Sequence, residues 1–279
     1  EIGVDRCSGV FLRPHGGEED FVGVPKKGFG GGNRFTLKNG RIVQGQQPPT
    51  PNPVYRYGRM IKEGKGIRPG RSCFPVYVRG CRGVEISNVT TVANSRDTDN
   101  LYIRSCSDVH IHHNHCISTV KEITNRHWPG TGVITLEGVA GPMDVHDNVI
   151  DGGGQWGIRA SGRGRTGPLV KIHHNVIRHR SYTTNGYAIG AHAPNMRIYA
   201  NVIESIGRGV HLTGNNIDFF NNIVEPREKP NPEYPRTRTH GIKLEHCTHT
   251  SVHHNFLSLI HISEPTRPLY ISYAVFCLK

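Results

Sequence analysis

Val109-His110-Ile111-His112-His113-Asn114 is the stretch that decides the fold: two apolar residues flank a polar one, two further positions follow, and Asn closes the phrase. It returns as Met143-Asp144-Val145-His146-Asp147-Asn148, Val170-Lys171-Ile172-His173-His174-Asn175, Met196-Arg197-Ile198-Tyr199-Ala200-Asn201, Ile217-Asp218-Phe219-Phe220-Asn221-Asn222 and Thr250-Ser251-Val252-His253-His254-Asn255. The closing Asn residues stand 34, 27, 26, 21 and 33 positions apart by subtraction. Each copy therefore belongs to a unit long enough for several short strands and variable loops, which is the periodicity of a solenoid.

Each copy has an upstream partner of similar pattern: Leu101-Tyr102-Ile103, Ile134-Thr135-Leu136, Ile158-Arg159-Ala160, Ile189-Gly190-Ala191, Val210-His211-Leu212 and Ile242-Lys243-Leu244. Short alternations bounded by Gly, Asn and Ser signal half-buried strands, and no sustained 3.6-residue apolar stripe signals helix. Two strands per unit, a bend between them and an Asn after the second describe an all-β, right-handed parallel β-helix of about seven to eight coils. Equivalent strands would pair from coil to coil at about 4.8 Å. The Asn column is expected to be structural, a ladder of amides bonded to one another and to turn backbone.

Phe35-Thr36-Leu37-Lys38-Asn39-Gly40 reads as an early coil, and Val76-Tyr77-Val78 with Val84-Glu85-Ile86-Ser87-Asn88 as a clear one. Residues 35–257 are thus the repeat region, with a partial segment, 1–34, before it. Residues 44–70, 118–130 and 225–239, which include the Pro run Pro48-Pro49-Thr50-Pro51-Asn52-Pro53, read as loop excursions. From about Ser258 the chain resembles the translation of a transposase-based sequencing adapter, first in Leu257 to Arg267 and again, after a short gap, in Ile271 to Lys279. Residues 258–279 are accordingly set aside from fold reasoning, and the repeat is expected to be an open fragment, truncated at both ends.

The formal charge is +12, from 34 Lys and Arg against 22 Asp and Glu. That balance suits an acidic polysaccharide; nucleic acid is the weaker expectation, because no helix, finger or aromatic RNA-reading signature accompanies the charge. No run approaches the roughly 20 apolar residues of a membrane span. Cys81, Cys106 and Cys247 each lie three residues before the repeated strand, and Cys116 sits two beyond its Asn where Ile150, Ile177 and Ile203 sit elsewhere. Those positions predict small buried fillers, with no CxxC zinc pattern.

Chemistry is expected on the outer face of the upstream strands. There the pattern places Tyr77 and Arg79, Tyr102 and Arg104, Thr135 and Glu137, Arg159 and Ser161, Gly190 and His192, His211 and Thr213, and Lys243 and Glu245. Proton abstraction beside a uronic carboxylate needs a cation, Ca²⁺ or Arg, to neutralise that carboxylate, and a base near the proton. Lys243 and His211 on adjacent coils are the candidate bases and Arg159 the candidate carboxylate clamp. Tyr77, Arg79, Tyr102, Arg104, Glu137, His192 and Glu245 are the candidate substrate-binding residues. Hydrolysis through Glu137 and Glu245 is excluded, since four coil spacings separate them by roughly 19 Å. Asp97 and Asp99 are alternatives for acid chemistry or calcium, set against a plainer reading as a capped turn. The column His112, His146, His173 and His253 invites a metal reading, but no carboxylates converge on it in the pattern, and no metal residues are assigned.

The Ile-His-His-Asn and Gly241-Ile242-Lys243-Leu244 phrases resemble the right-handed parallel β-helix repeat superfamily, similar to pectate lyases and their relatives. The likeness covers roughly Phe35 to Leu257 and is specific for fold; that superfamily holds lyases, hydrolases, epimerases, adhesins and tailspikes. Asp97-Thr98-Asp99 only echoes the polygalacturonase motif, and Arg68-Pro69-Gly70-Arg71 departs in spacing from the lyase segment, so no catalytic residue is carried over. The expectation is an exported, extracellular, periplasmic or cell-surface protein acting as a lyase on an anionic polysaccharide. The alternative is a non-catalytic, glycan-binding adhesive solenoid. Oligomeric state is left open.

Overall fold

A computed structural model describes residues 34–43, 75–93, 99–119, 132–153, 155–162, 167–180, 186–206, 208–227 and 240–258, together with the backbone of 10–11, 54–56 and 59–62. Asp97, most of the three excursions and the adapter-like tail beyond Ser258 lie outside the described residues. The chain builds the all-β, right-handed parallel β-helix that the repeat predicts. Each coil, however, has three strands rather than two.

The first wall holds Val76–Arg79, Leu101–Arg104, Gly132–Glu137, Trp156–Ser161, Tyr187–His192, Arg208–Leu212 and His240–Leu244, parallel and in chain order. Val10–Phe11 adds an antiparallel strand at its near edge. The second wall carries the repeated phrase, in Ser107–His112, Met143–His146, Val170–His173, Met196–Tyr199, Ile217–Phe220 and Ser251–His253. A third wall follows the Asn, in His115–Ser118, Val149–Asp151, Val176–His179, Val202–Ile206, Ile223–Arg227 and Phe256–Leu257. Phe35–Val43 and Arg82–Ala93 run through both of these walls without a break. Glu225 and Pro226 belong to the third wall, so the last excursion starts later than its composition suggests, and the first one contains a hairpin of Val54–Arg56 with Arg59–Lys62.

In-register pairing stacks like on like. Val84, Val109, Met143, Val170, Met196 and Ile217 form one inward column and Ile86, Ile111, Val145, Ile172, Ile198 and Phe219 the next, all no more than 2% exposed. The turn into the second wall admits only small residues: Cys81, Cys106, Ala140, Gly167, Ala193, Gly214 and Cys247 succeed one another three places before the first position of the repeated phrase. At Gly214 a Cβ would stand 2.2 Å from the Ala193 carbonyl oxygen. Cys81, Cys106 and Cys116 are buried thiols, as the pattern predicts, while Cys247 is half-buried.

The Asn column forms the predicted ladder. Each Nδ2 donates to the Oδ1 of the next coil, from Asn114 to Asn148 (2.9 Å), Asn175 (3.0 Å), Asn201 (3.0 Å), Asn222 (2.9 Å) and Asn255 (3.0 Å). The same Nδ2 groups donate back to the preceding coil's carbonyls, among them Ile86, Ile111 and Val145. Asn39 and Asn88 are not rungs. Their Asn comes fifth in the phrase rather than sixth, so Val89 stands opposite Asn114 and donates its backbone N–H to that Oδ1 at 3.0 Å. Asn39 and Asn88 instead occupy the bend position before the rung, with φ of 56° and 55°. His113, Asp147, His174, Ala200, Asn221 and His254 continue that left-handed column, which costs about 1–2 kcal/mol per residue with a Cβ. The ladder bonds at the following residue offset it.

Candidate functional site

The first wall brings all ten nominated side chains onto one outer face. Tyr77, Tyr102, Thr135, Arg159, Gly190, His211 and Lys243 are register partners along one row. Arg79, Arg104, Glu137, Ser161 and His192 form the row beside it, and Glu245 lies just past its strand's end.

At the N-terminal coils the rings of Tyr77 and Tyr102 lie 5.2 Å apart, tilted by 36°. The Tyr102 hydroxyl donates to Glu137, and Arg104 approaches the same carboxylate at 3.5 Å. Burial and then that hydrogen bond hold the Tyr102 phenol well above its ordinary range, so it stays protonated. Asp99 is 1% exposed and accepts the backbone N–H of Gly132. Burial pushes its carboxyl well above the carboxylate range. An enclosed carboxyl already bonded to backbone does not fit a calcium ligand, and among the described residues no group of three or more His, Cys, Asp or Glu side chains fits a metal ion.

At the C-terminal coils Glu245 joins the two candidate bases. Its Oε2 lies 2.9 Å from His211 Nε2 and 2.7 Å from Lys243 Nζ. Lys243 first, then His211, holds the Glu245 carboxyl below its ordinary range. The carboxylate keeps a proton on His211 Nε2 and leaves Nδ1 as the lone pair. Among the described residues that Nδ1 is enclosed without a hydrogen-bond partner, as are His192 Nε2 and Arg159 Nε.

What encloses the two imidazoles is an aromatic cluster that the sequence pattern did not reveal. Trp156 stacks on Tyr187 at 5.3 Å, Tyr187 on His211 at 4.8 Å, and Trp156 meets His192 edge-on at 4.9 Å. Arg208 lies over the Tyr187 ring and donates to its hydroxyl at 3.1 Å. The indole rests on Gly190, where a Cβ would come within 2.4 Å of Cε3. A glycine at an outward strand position was the available signal, because it marks a place where something large comes down on the sheet. Burial pushes His192 down to about 4 and lowers His211 as well.

On the second wall, His112, His146, His173, Tyr199, Phe220 and His253 stack continuously at 4.7–5.2 Å with interplanar angles of 3–10°. Carboxylates do reach these rings, each at a separate edge. Asp144 lies 2.8 Å from His173 and Asp218 3.0 Å from His253, while Asp147 takes Nδ1 of His146 at 2.7 Å. Burial lowers both His112 and His173.

These shifts fix an expected acid response. Folded His112, His173, His192 and His211 bind fewer protons than the unfolded chain below about pH 6.5, so their stabilisation is present above that pH and fades as pH falls toward about 4. Glu85, Asp147 and Glu245, held low by Lys38, His146 and Lys243 respectively, act in the same sense at lower pH. Asp99 alone acts in the opposite sense among the shifted carboxyls. Urea midpoints should therefore be flat between about pH 7 and pH 8, below the range in which the raised Cys116 thiol and Tyr102 phenol act, and should decline from about pH 6.5 as pH falls, with about 2 kcal/mol or more lost before the carboxylate range. A midpoint flat down to pH 4.5 would contradict the enclosed imidazoles.

No family model matches the chain, and no curated protein or solved structure shows significant similarity to it. Among the described residues no helix is long and apolar enough to cross a membrane.

Proposed function

We propose that the outer face of the first wall binds an extended anionic polysaccharide, as part of an exported or surface-displayed solenoid. The observation that carries this reading is the repeated pair Tyr77 with Arg79 and Tyr102 with Arg104 on successive coils. Each pair offers a ring for a sugar face and a planar guanidinium for a carboxylate, at a coil spacing of about 4.8 Å. The resemblance of the repeat to pectate-lyase-like solenoids points the same way as a fold-level analogy. Polygalacturonate should bind in a salt-sensitive manner, and Arg79→Ala with Arg104→Ala should weaken binding about tenfold or more, with neutral dextran unbound. Failure to bind polygalacturonate, alginate and hyaluronan alike would remove the proposal.

A second reading, β-elimination, is favoured by the meeting of His211 and Lys243 on Glu245. A substrate carboxylate that displaced Glu245 would free both groups, with Arg159 two coils from His211 in the same row and its guanidinium rather than Ca²⁺ neutralising a uronate along the chain. Unsaturated uronide should then form, and should vanish in Lys243→Ala combined with His211→Ala. Binding without any such product leaves the adhesive reading.

A further inference from the structure

The second wall and its left-handed bend carry eight of the chain's 18 histidines. They are most concentrated on the three consecutive coils that hold Asn114, Asn148 and Asn175. We propose that this patch is a second, acid-switched binding face for a linear polyanionic glycan, independent of the first wall. The rings stack in one line, His112 on His146 on His173 at 5.0 Å each. The bend residues His113 and His174 stand exposed beside that line, and His110 and His115 flank it.

The fixed charges around the patch cancel. Lys38 pairs with Glu85 at 2.8 Å and Lys171 reaches Asp144 at 3.7 Å. Arg178 and Arg180 approach Asp151 at 3.5 and 3.8 Å, and Arg82 pairs with Asp108 at 3.2 Å. On the flanking coils Asp218 is the register partner of Arg197 on the second wall, and Glu204 that of Arg178 on the third. Asp147, bonded to His146, is left over. The sign of the patch therefore follows its imidazoles, neutral or slightly negative when they are deprotonated and strongly positive when they are not.

The hydrogen bonds select which rings can charge. His112 and His113 face each other through Nδ1 atoms at 2.8 Å, and His173 and His174 at 2.7 Å. His173 presents Nε2 to Asp144 at 2.8 Å, and His112 presents Nε2 to Glu85 at 3.6 Å. With the inner ring's proton on Nε2, its Nδ1 accepts from the outer ring, whose own Nε2 keeps a lone pair. That outer nitrogen takes a proton without breaking either bond, whereas protonating both rings would leave two donors facing each other. His113 and His174 thus become exposed cations while the stack beneath stays intact. The two cations, His113 and His174, lie in one straight row two coil spacings apart with Asp147 between them, a linear arrangement that matches a linear polymer better than a membrane plane.

Dextran sulfate, whose charge is constant across this pH range, is the probe. The intact chain should bind it about tenfold more tightly at pH 5.5 than at pH 7.5, with protons taken up on binding. His110→Gln, His113→Asn and His174→Asn together should abolish most of that gain while leaving the pH 7.5 affinity unchanged; Asn tolerates the left-handed bend. An undiminished gain in this variant, no gain in the parent, or preference for anionic lipid vesicles over dextran sulfate overturns the proposal. If the variant loses its circular dichroism at pH 5.5, proton uptake by the parent decides, and zero uptake refutes. Binding at pH 7.5 reports on the first wall, so the two proposals fail separately.

Discussion

Replacing Asn175 with Ala is expected to lower stability by about 3–5 kcal/mol, since several buried polar groups lose their partners at once. Its Nδ2 donates to Val145 O, His173 O and Asn201 Oδ1 at 2.9–3.0 Å. Its Oδ1 receives both the backbone N–H and the Nδ2 of Asn148, at 3.1 and 3.0 Å. Residue 175 is fully buried, so water does not replace the lost bonds. Asn88→Ala supplies the contrast: that residue is exposed and contributes mainly its tolerance of φ 55°, so about 1 kcal/mol is expected. Denaturant midpoints for the two variants measure the difference, and equal losses would refute the ladder as the source of stability.

Gly190→Ala should have the next largest effect, and it bears directly on the candidate site. A Cβ there would stand 2.4 and 2.5 Å from Trp156 Cε3 and Cζ3, and 2.9 Å from His192 Nε2. The indole has to leave the sheet, at a cost of about 1–3 kcal/mol. Trp156 is one of two tryptophans, so with Trp128→Phe its emission can be followed alone and should shift to the red. Opening the cluster also hydrates His192, whose pKa should climb from about 4 toward the ordinary imidazole value. An unshifted emission would mean that the ring does not rest on residue 190.

The first two walls were legible because each alternates, apolar inward and polar outward, as in Leu101-Tyr102-Ile103 and Val170-Lys171-Ile172. The third wall was hidden because Val149-Ile150, Val176-Ile177 and Val202-Ile203 place apolar residues on both faces, which cancels the period of two. Asn39 and Asn88 come one place early in their phrases, an offset visible in the sequence that keeps them out of the ladder. The outer face was legible residue by residue, since strand parity fixes which side chains point outward. The contacts between those side chains were not. Glu245 lies 34 residues from His211, and Trp156 meets Gly190 only because consecutive coils stack one strand against the next.

The amides of the ladder all point the same way: from Asn114 onward each Nδ2 faces the following coil and each Oδ1 the preceding one. Their dipoles therefore add head to tail, and neighbouring bonds polarise one another. The solenoid thus has an electrical front and back, and a coil joins it as a module in one orientation only. Tandem duplication of residues 149–175, a 27-residue step from one rung to the next, preserves that polarity and should be accepted whole. Removing a single residue from the bend at His174 would turn the next rung outward and cut the line.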